Sequence, residues 1–150
     1  MVRENLVIGP IRSPDIPEIL ELEKNTPSAW SRKQLENELQ QPAGMHFVAR
    51  NEETARIMAV LFGRIVADEA EILKVVVAEF VRKRGVGYKL LDFAVNYCSK
   101  QGVENCFLEL RASNEAARRL YEKRGFICVG KRKKYYNEPV EDAILMQLVL

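Results

Sequence analysis

Apolar positions along the chain change their period several times, and each change marks an element. Residues 6–11 read as a short opening strand. Apolar side chains then return at Ile16, Ile19, Leu20 and Leu22 behind the start signal Ser13-Pro14, which predicts a helix over residues 14–24. Trp30-Ser31 opens a second helix, with Ser31 as the N-cap and Gln34 three residues on. Residues 46–50, 56–67 and 71–77 read as successive strands, the last ending in the β-branched run Val75-Val76-Val77. The strongest helical pattern follows over residues 85–100, with Val86, Leu90, Leu91, Ala94, Val95 and Cys98 on one face. Gly102 signals its end. Residues 105–110 read as a strand, 114–123 as a helix closed by Arg124-Gly125, and 126–134 and 142–150 as two final strands.

This order is mixed α/β, with one strand–helix–strand unit across residues 71–110. A helix that follows a central strand offers a ligand site at its N-terminus. No repeat, low-complexity stretch or Gly/Pro/Ser-rich linker interrupts the 150 residues, so a single domain over residues 1–150 is expected. The polar opening, Met1 to Asn5, leads into no long apolar stretch, and the apolar runs at 57–67 and 143–150 fall short of the roughly 20 residues of a membrane span. A soluble protein is expected. Cys98, Cys106 and Cys128 sit in apolar stretches without a C-x-x-C pair, which reads as three small buried thiols in a reducing compartment. With His46 as the only histidine, a His-rich metal site is excluded and a Ser-His-Asp triad disfavoured. A net charge of +2 is too small to argue for nucleic acid.

Between the strand at 71–77 and its helix lies Arg82-Lys83-Arg84-Gly85-Val86-Gly87. Its two glycines let the backbone approach a ligand, three cations precede them, and the helix start directs free N–H groups outward. That is a cradle for an anion such as a pyrophosphate; spacing alone fits a solvated basic loop equally well. Two other phosphate motifs are excluded. The loop lacks the third glycine of the dinucleotide fingerprint. The stretch from Gly125 to Arg132 has Arg132 where a Walker A loop needs Ser or Thr, and it reads as strand.

The Arg82–Gly87 run resembles the R/Q-x-x-G-x-G/A loop of the GCN5-related N-acetyltransferases. Asn114, Leu120-Tyr121 and Gly125-Phe126 match further positions of that superfamily, at fitting distances from the loop. Ala29-Trp30-Ser31, residues 67–70, residues 108–114 (LELRASN) and Tyr135-Tyr136 with residues 141–144 resemble more narrowly the bacterial ribosomal-protein alanine N-acetyltransferases. Three positions depart from that pattern: Ala78-Glu79 stand where many relatives have Asp-Pro, and Lys74 where a small or polar residue is usual.

The resemblance implies a GNAT-type fold, a mostly antiparallel twisted sheet of about seven strands with about four helices and a coenzyme cleft between two splayed central strands. It implies acetyl-CoA as co-substrate, no metal, and the N-terminus of a ribosomal protein as acceptor in the cytoplasm, with neither membrane nor nucleic acid as partner. Val75, Val76 and Val77 would bind the pantetheine and acetyl group through their backbone. Arg82, Lys83, Arg84, Gly85, Val86, Gly87 and Tyr88 would hold the pyrophosphate, and Asn114 would contact the coenzyme. Glu109 matches the general base. On a strand it faces away from Leu108 and Leu110, while residue type and spacing by themselves favour an exposed carboxylate paired with Arg111, and the LELRASN match reverses that preference. Tyr121 matches the general acid, the alternative being a half-buried residue beside Leu120. Trp30 and Tyr135 suit a peptide site or plain packing. The basic run 131–134 reads as a solvated strand edge. A broader N-terminal or small-amine acetyltransferase remains open. A non-catalytic coenzyme A sensor is disfavoured by the presence of both Glu109 and Tyr121.

Overall fold

The computed structural model describes residues 5–150; the first four residues of the polar opening lie outside the described residues. The strands are β1 (Leu6–Pro10), β2 (Gly44–Asn51), β3 (Ile57–Val66), β4 (Glu69–Val77), β5 (Asn105–Arg111), β6 (Ile127–Tyr136) and β7 (Glu141–Val149). The helices are α1 (Ile16–Glu23), α2 (Arg32–Leu39), α3 (Val86–Lys100) and α4 (Glu115–Lys123). All seven strands join one sheet in the order β1-β2-β3-β4-β5-β7-β6. Every neighbouring pair is antiparallel except β4 and β5, which run parallel and are linked through α3. This is the mixed, mostly antiparallel sheet with four helices that the resemblance implies.

Two apolar layers cover the two faces. On one, the stripe of α3 packs on Leu61, Ile72, Cys106 and Leu108, with Leu90, Leu91 and Ala94 fully enclosed. On the other, Ile19 of α1 and Leu35 of α2 close over Val48, Val60, Phe62 and Val76. Each fully buried Leu, Ile or Phe contributes about 1.5–3 kcal/mol, so the helices are held to the sheet chiefly by these stripes. The capping box at Ser31 is present, with Ser31 Oγ accepting the Gln34 N–H at 3.1 Å and Gln34 Oε1 accepting the Ser31 N–H at 2.8 Å.

The start of α1 departs from the expectation. Ser13-Pro14-Asp15 form a 3₁₀ turn before α1, and the Asp15 carboxylate closes that turn by accepting the Arg12 N–H at 2.8 Å and pairing with Arg50, while no side chain caps α1 itself. The cysteine reading also needs correction. Cys98 and Cys106 are buried, but Cys128 is exposed because β6 is the sheet's last strand and has a neighbour on one side only. The same edge position leaves residues 131–134 solvated, as expected. No helix among the described residues is long and apolar enough to cross a membrane.

Candidate active site

The parallel pair β4–β5 is incomplete, and the gap it leaves defines the site. Pairing runs from Glu69 with Asn105 to Ile72 with Leu108, after which β4 continues to Val77 and β5 to Arg111 unpaired with each other. The divergence begins at a bulge, where Phe62 and Gly63 of β3 face Lys74 and Ile72 and Leu73 is the extra residue. Ala78 N–H donates to Met58 O at 2.8 Å on the β3 side. The alternation of an antiparallel ladder therefore turns Val76 toward β3, while Val75 and Val77 present N–H and C=O to the gap. An edge strand inside a sheet is thus available to an extended, amide-containing ligand.

The loop 82–87 lies at the C-terminal end of β4. Gly85 is the N-cap of α3 with φ +81°, and a Cβ built there meets nothing within 4 Å. Lys83 also has a positive φ, 65°, an L-residue conformation that costs of order 1–3 kcal/mol. No side chain caps α3, and its first bond from this turn is Lys89 N–H to Gly85 O at 3.1 Å, so the N–H groups of Val86, Gly87 and Tyr88 have no intrahelical partner. Arg82 donates from Nε to Val77 O at 3.4 Å, tying the loop to the gap. Gly87 serves close packing instead. A Cβ there would stand 2.9 Å from Val77 Cγ2 and 3.5 Å from Leu120, so its absence lets α3 approach β4 and α4. Lys123 lies 4.6 Å above the Tyr88 ring and joins α4 to α3. These residues fit an anionic, extended ligand.

Glu109 projects from the opposite face. Its neighbours Leu108 and Leu110 are buried under α3 and α4, whereas Arg111, which shares Glu109's face, reaches Ser28 between α1 and α2. The partner of Glu109 is not Arg111. Arg132 of β6 holds it, with Nη2 3.2 Å from Oε1. Irregularities in β6 on either side of residues 130–132 bring Arg132 across the diagonal. Arg111 is taken by Glu141 at 3.1 Å. Tyr121 is buried rather than half-buried, edge-on to Phe126 at 5.7 Å. Burial holds its phenol above the ordinary value, with Cys106 and Tyr136 adding to the effect, so it keeps its proton throughout the neutral range. Asn114 caps α4, its Oδ1 accepting the Ala117 N–H at 3.2 Å. Trp30 lies edge-on to Phe62 at 4.9 Å and beneath the Lys74 ammonium at 4.2 Å. Tyr135 is exposed beside Tyr136.

Several site residues escape a reading of the sequence. Lys74, notable there only as a departure, pairs at 2.5 Å with Glu23 from the end of α1; Glu23 is completely buried. Burial lowers the Lys74 pKa, and Glu23 opposes that shift. Arg111 donates to Pro139 O at 3.0 Å and Asn137 O at 3.4 Å and stacks over Tyr136 at 4.5 Å, holding the β6–β7 turn. Glu141 accepts the Ser113 N–H at 3.2 Å. Hydrogen bonding from Ser113 first, then Arg111, keeps its carboxyl below the ordinary 4.5. A carboxyl lowered on folding stabilises above its unfolded value and loses that contribution as pH falls through the folded one. We therefore expect Glu141→Gln to reduce the loss of melting temperature between about pH 5 and pH 3 relative to wild type; parallel slopes in thermal scans would contradict this anchoring.

No group of three or more His, Cys, Asp and Glu side chains among the described residues is placed to hold a metal. The gap between the parallel strands, the N–H cradle at its end and the carboxylate on its other face make one continuous groove for an extended, anionic ligand. The chain belongs to the acetyltransferase (GNAT) family, whose model matches residues 16–126. Among curated relatives, the [ribosomal protein bS18]-alanine N-acetyltransferase of Escherichia coli strain K12 is 36% identical over 98 residues, covering 64% of this chain and 66% of that enzyme. The match thus spans just under two thirds of that relative's length. A putative enzyme of the same description from Bacillus subtilis strain 168 is 29% identical over 141 residues, 93% of each chain. Among solved structures, the ribosomal-protein-S18-alanine N-acetyltransferase from Escherichia coli superimposes with a TM-score of 0.87 at 30% identity, over 97% of this chain and 94% of that one.

Proposed function

We propose that residues 1–150 form one catalytic domain of an acetyl-CoA-dependent N-terminal acetyltransferase, acting in the cytoplasm on the N-terminal alanine of a small-subunit ribosomal protein. The observation that carries this reading is the open edge of β4, with an anion cradle at its end and Glu109 on the far face. The acceptor is proposed by likeness to the bS18-alanine N-acetyltransferases among the relatives.

In this reading, the N–H groups of Val86, Gly87 and Tyr88 hold the pyrophosphate of acetyl-CoA, with Arg82, Lys83 and Arg84 adding charge. Val75 and Val77 pair with the pantetheine amides, Val76 keeps the strand in register, and an N–H facing the gap polarises the thioester carbonyl. Asn114, by capping α4, fixes the helix that carries Tyr121. Glu109 takes a proton from the acceptor's ammonium, directly or through water, once Arg132 yields it. The neutral amine attacks the acetyl carbon, the C–N bond forms as the C–S bond breaks, and Tyr121 hydrogen-bonds the departing thiolate or protonates it; the surplus proton left on the amide nitrogen passes to solvent or restores the Tyr121 phenol. Trp30 and Tyr135 flank the peptide's path.

Direct attack is also supported by the cysteines. Burial pushes the Cys98 thiol to about 11 and the Cys106 thiol to about 12, so neither supplies a thiolate for a covalent acetyl-enzyme at neutral pH, and the exposed Cys128 stands on β6, separated from the gap by β7 and β5. The test is thiol release from acetyl-CoA with Ala-, Ser-, Met- and Gly-starting peptides and with polyamines. Release with the Ala peptide alone is expected. Release with several N-termini or with polyamines would keep the chemistry and discard the ribosomal acceptor.

A further inference from the structure

The buried ion pair Lys74–Glu23 has no part in the mechanism above, and neither does the Arg111 contact with Ser28. Both lead to one residue. Lys74 stands on β4 beyond the last β4–β5 pair, and its ammonium donates to Ser28 O at 2.5 Å. Arg111 stands on β5, also beyond the last pair, and its Nε donates to Ser28 Oγ at 3.4 Å. Ser28 is therefore bonded from both of the diverging strands, and the segment linking α1 to α2 crosses the gap on the face that carries Glu109. Each anchor is itself fixed. Lys74 is clamped by Glu23 and the Trp30 ring, and Arg111 by Glu141, the Tyr136 ring and two carbonyls of the β6–β7 turn. The side chains of Lys74 and Arg111 are only 10% and 11% exposed, so solvent screens these contacts weakly.

We propose that Lys74 and Arg111 are positioning residues that clamp Ser28 over the gap, and that residues 24–31, so fixed, limit the size of the acceptor's first side chain. This rests on the gap being the site of acetyl transfer. A loop free to lift would admit larger first residues and would hold small ones less well, because each binding event would have to order it. A loop already bonded to both strands spares the acceptor that cost and keeps the ceiling low.

The experiment uses the full chain, acetyl-CoA and peptides beginning Ala, Ser, Met and Leu. Three variants are compared: Ser28→Gly, which changes only an exposed loop residue, Arg111→Lys, and the double Glu23→Gln/Lys74→Met, which removes the pair without leaving a buried charge. We expect the double variant to raise KM for the Ala peptide about tenfold, a change of about 1.4 kcal/mol. The KM for acetyl-CoA should stay within about twofold, and the Ala-to-Met ratio of kcat/KM should shrink several-fold, with smaller shifts of the same sign in the other two. Trypsin cleavage after Lys24 should accelerate in the same rank order. Folded variants with unchanged acceptor KM, selectivity and cleavage rate would overturn the clamp alone. Wild-type protein that transfers acetyl to none of the peptides would overturn the site reading and the clamp with it.

Discussion

Glu109→Gln should slow acetyl transfer by about a hundredfold or more while leaving KM for acetyl-CoA nearly unchanged. Positioned proton acceptors contribute typically about 10²–10⁴ in rate, and the amide keeps the carboxylate's shape while losing its basicity. Donor binding is spared because the cradle at residues 82–88 lies at the end of β4, whereas Glu109 shares its face with Arg111 and the α1–α2 connection. The slowing should be greatest at low pH, where the acceptor's amine, ordinarily near pKa 7.7–8.0, is hardest to deprotonate. Stability should change little. The lost partner, Arg132, is half exposed, and pairs of that kind are worth about 0–1 kcal/mol. Steady-state kinetics across pH, with a thermal scan as control, decide the matter. A variant with wild-type turnover at every pH would remove Glu109 from the mechanism.

The second large effect concerns stability. Glu23→Ala should destabilise the fold by about 3 kcal/mol, because truncating one member of a buried pair leaves the other charge uncompensated. Lys74 would remain 10% exposed beside the Trp30 ring, its ammonium still donating to Ser28 O but facing no carboxylate at Glu23's place. In a chain of 150 residues that corresponds to a fall in melting temperature of roughly 6–12 °C. The double variant Glu23→Leu/Lys74→Met should recover most of the loss, since apolar side chains of similar volume often replace a buried pair without penalty. Calorimetry of wild type, single and double variants makes the comparison. A single variant within about 1 kcal/mol of wild type, or a double variant less stable than the single, would refute it.

What can be read from the chain follows from the range of the forces involved. The strands and helices are legible because their periods are local, and Ser31 with Gln34 is legible because a capping box spans only three residues. The direction of Glu109 is legible for the same reason, since strand alternation decides which face it takes. Its partner is not. Strand alternation suggests Arg111, two residues on and on the same face, whereas the partner is Arg132 of β6, a strand whose register against β7 shifts on either side of residues 130–132. Lys74 and Glu23 lie 51 residues apart, and nothing near either one announces the other. The 3₁₀ turn before α1 is held by the Asp15 carboxylate reaching back to the Arg12 amide and by Arg50, 35 residues away, which sequence position does not reveal. The placement of Cys128 depends on β6 being last in the sheet, which is a property of strand order and not of neighbouring residues.

That placement bears on how the protein meets oxidants. Peroxide reacts with thiolates that solvent can reach, and the chain offers its one exposed sulfhydryl at Cys128, on the outermost strand beside Phe126 and Met146. Cys98, on the buried face of α3, and Cys106, on β5, stay protonated and enclosed. Oxidative injury, or a labelling reagent, should therefore arrive at the rim of the sheet and leave the gap between β4 and β5 chemically untouched. The same asymmetry offers a ready handle for attaching a fluorophore to the working protein.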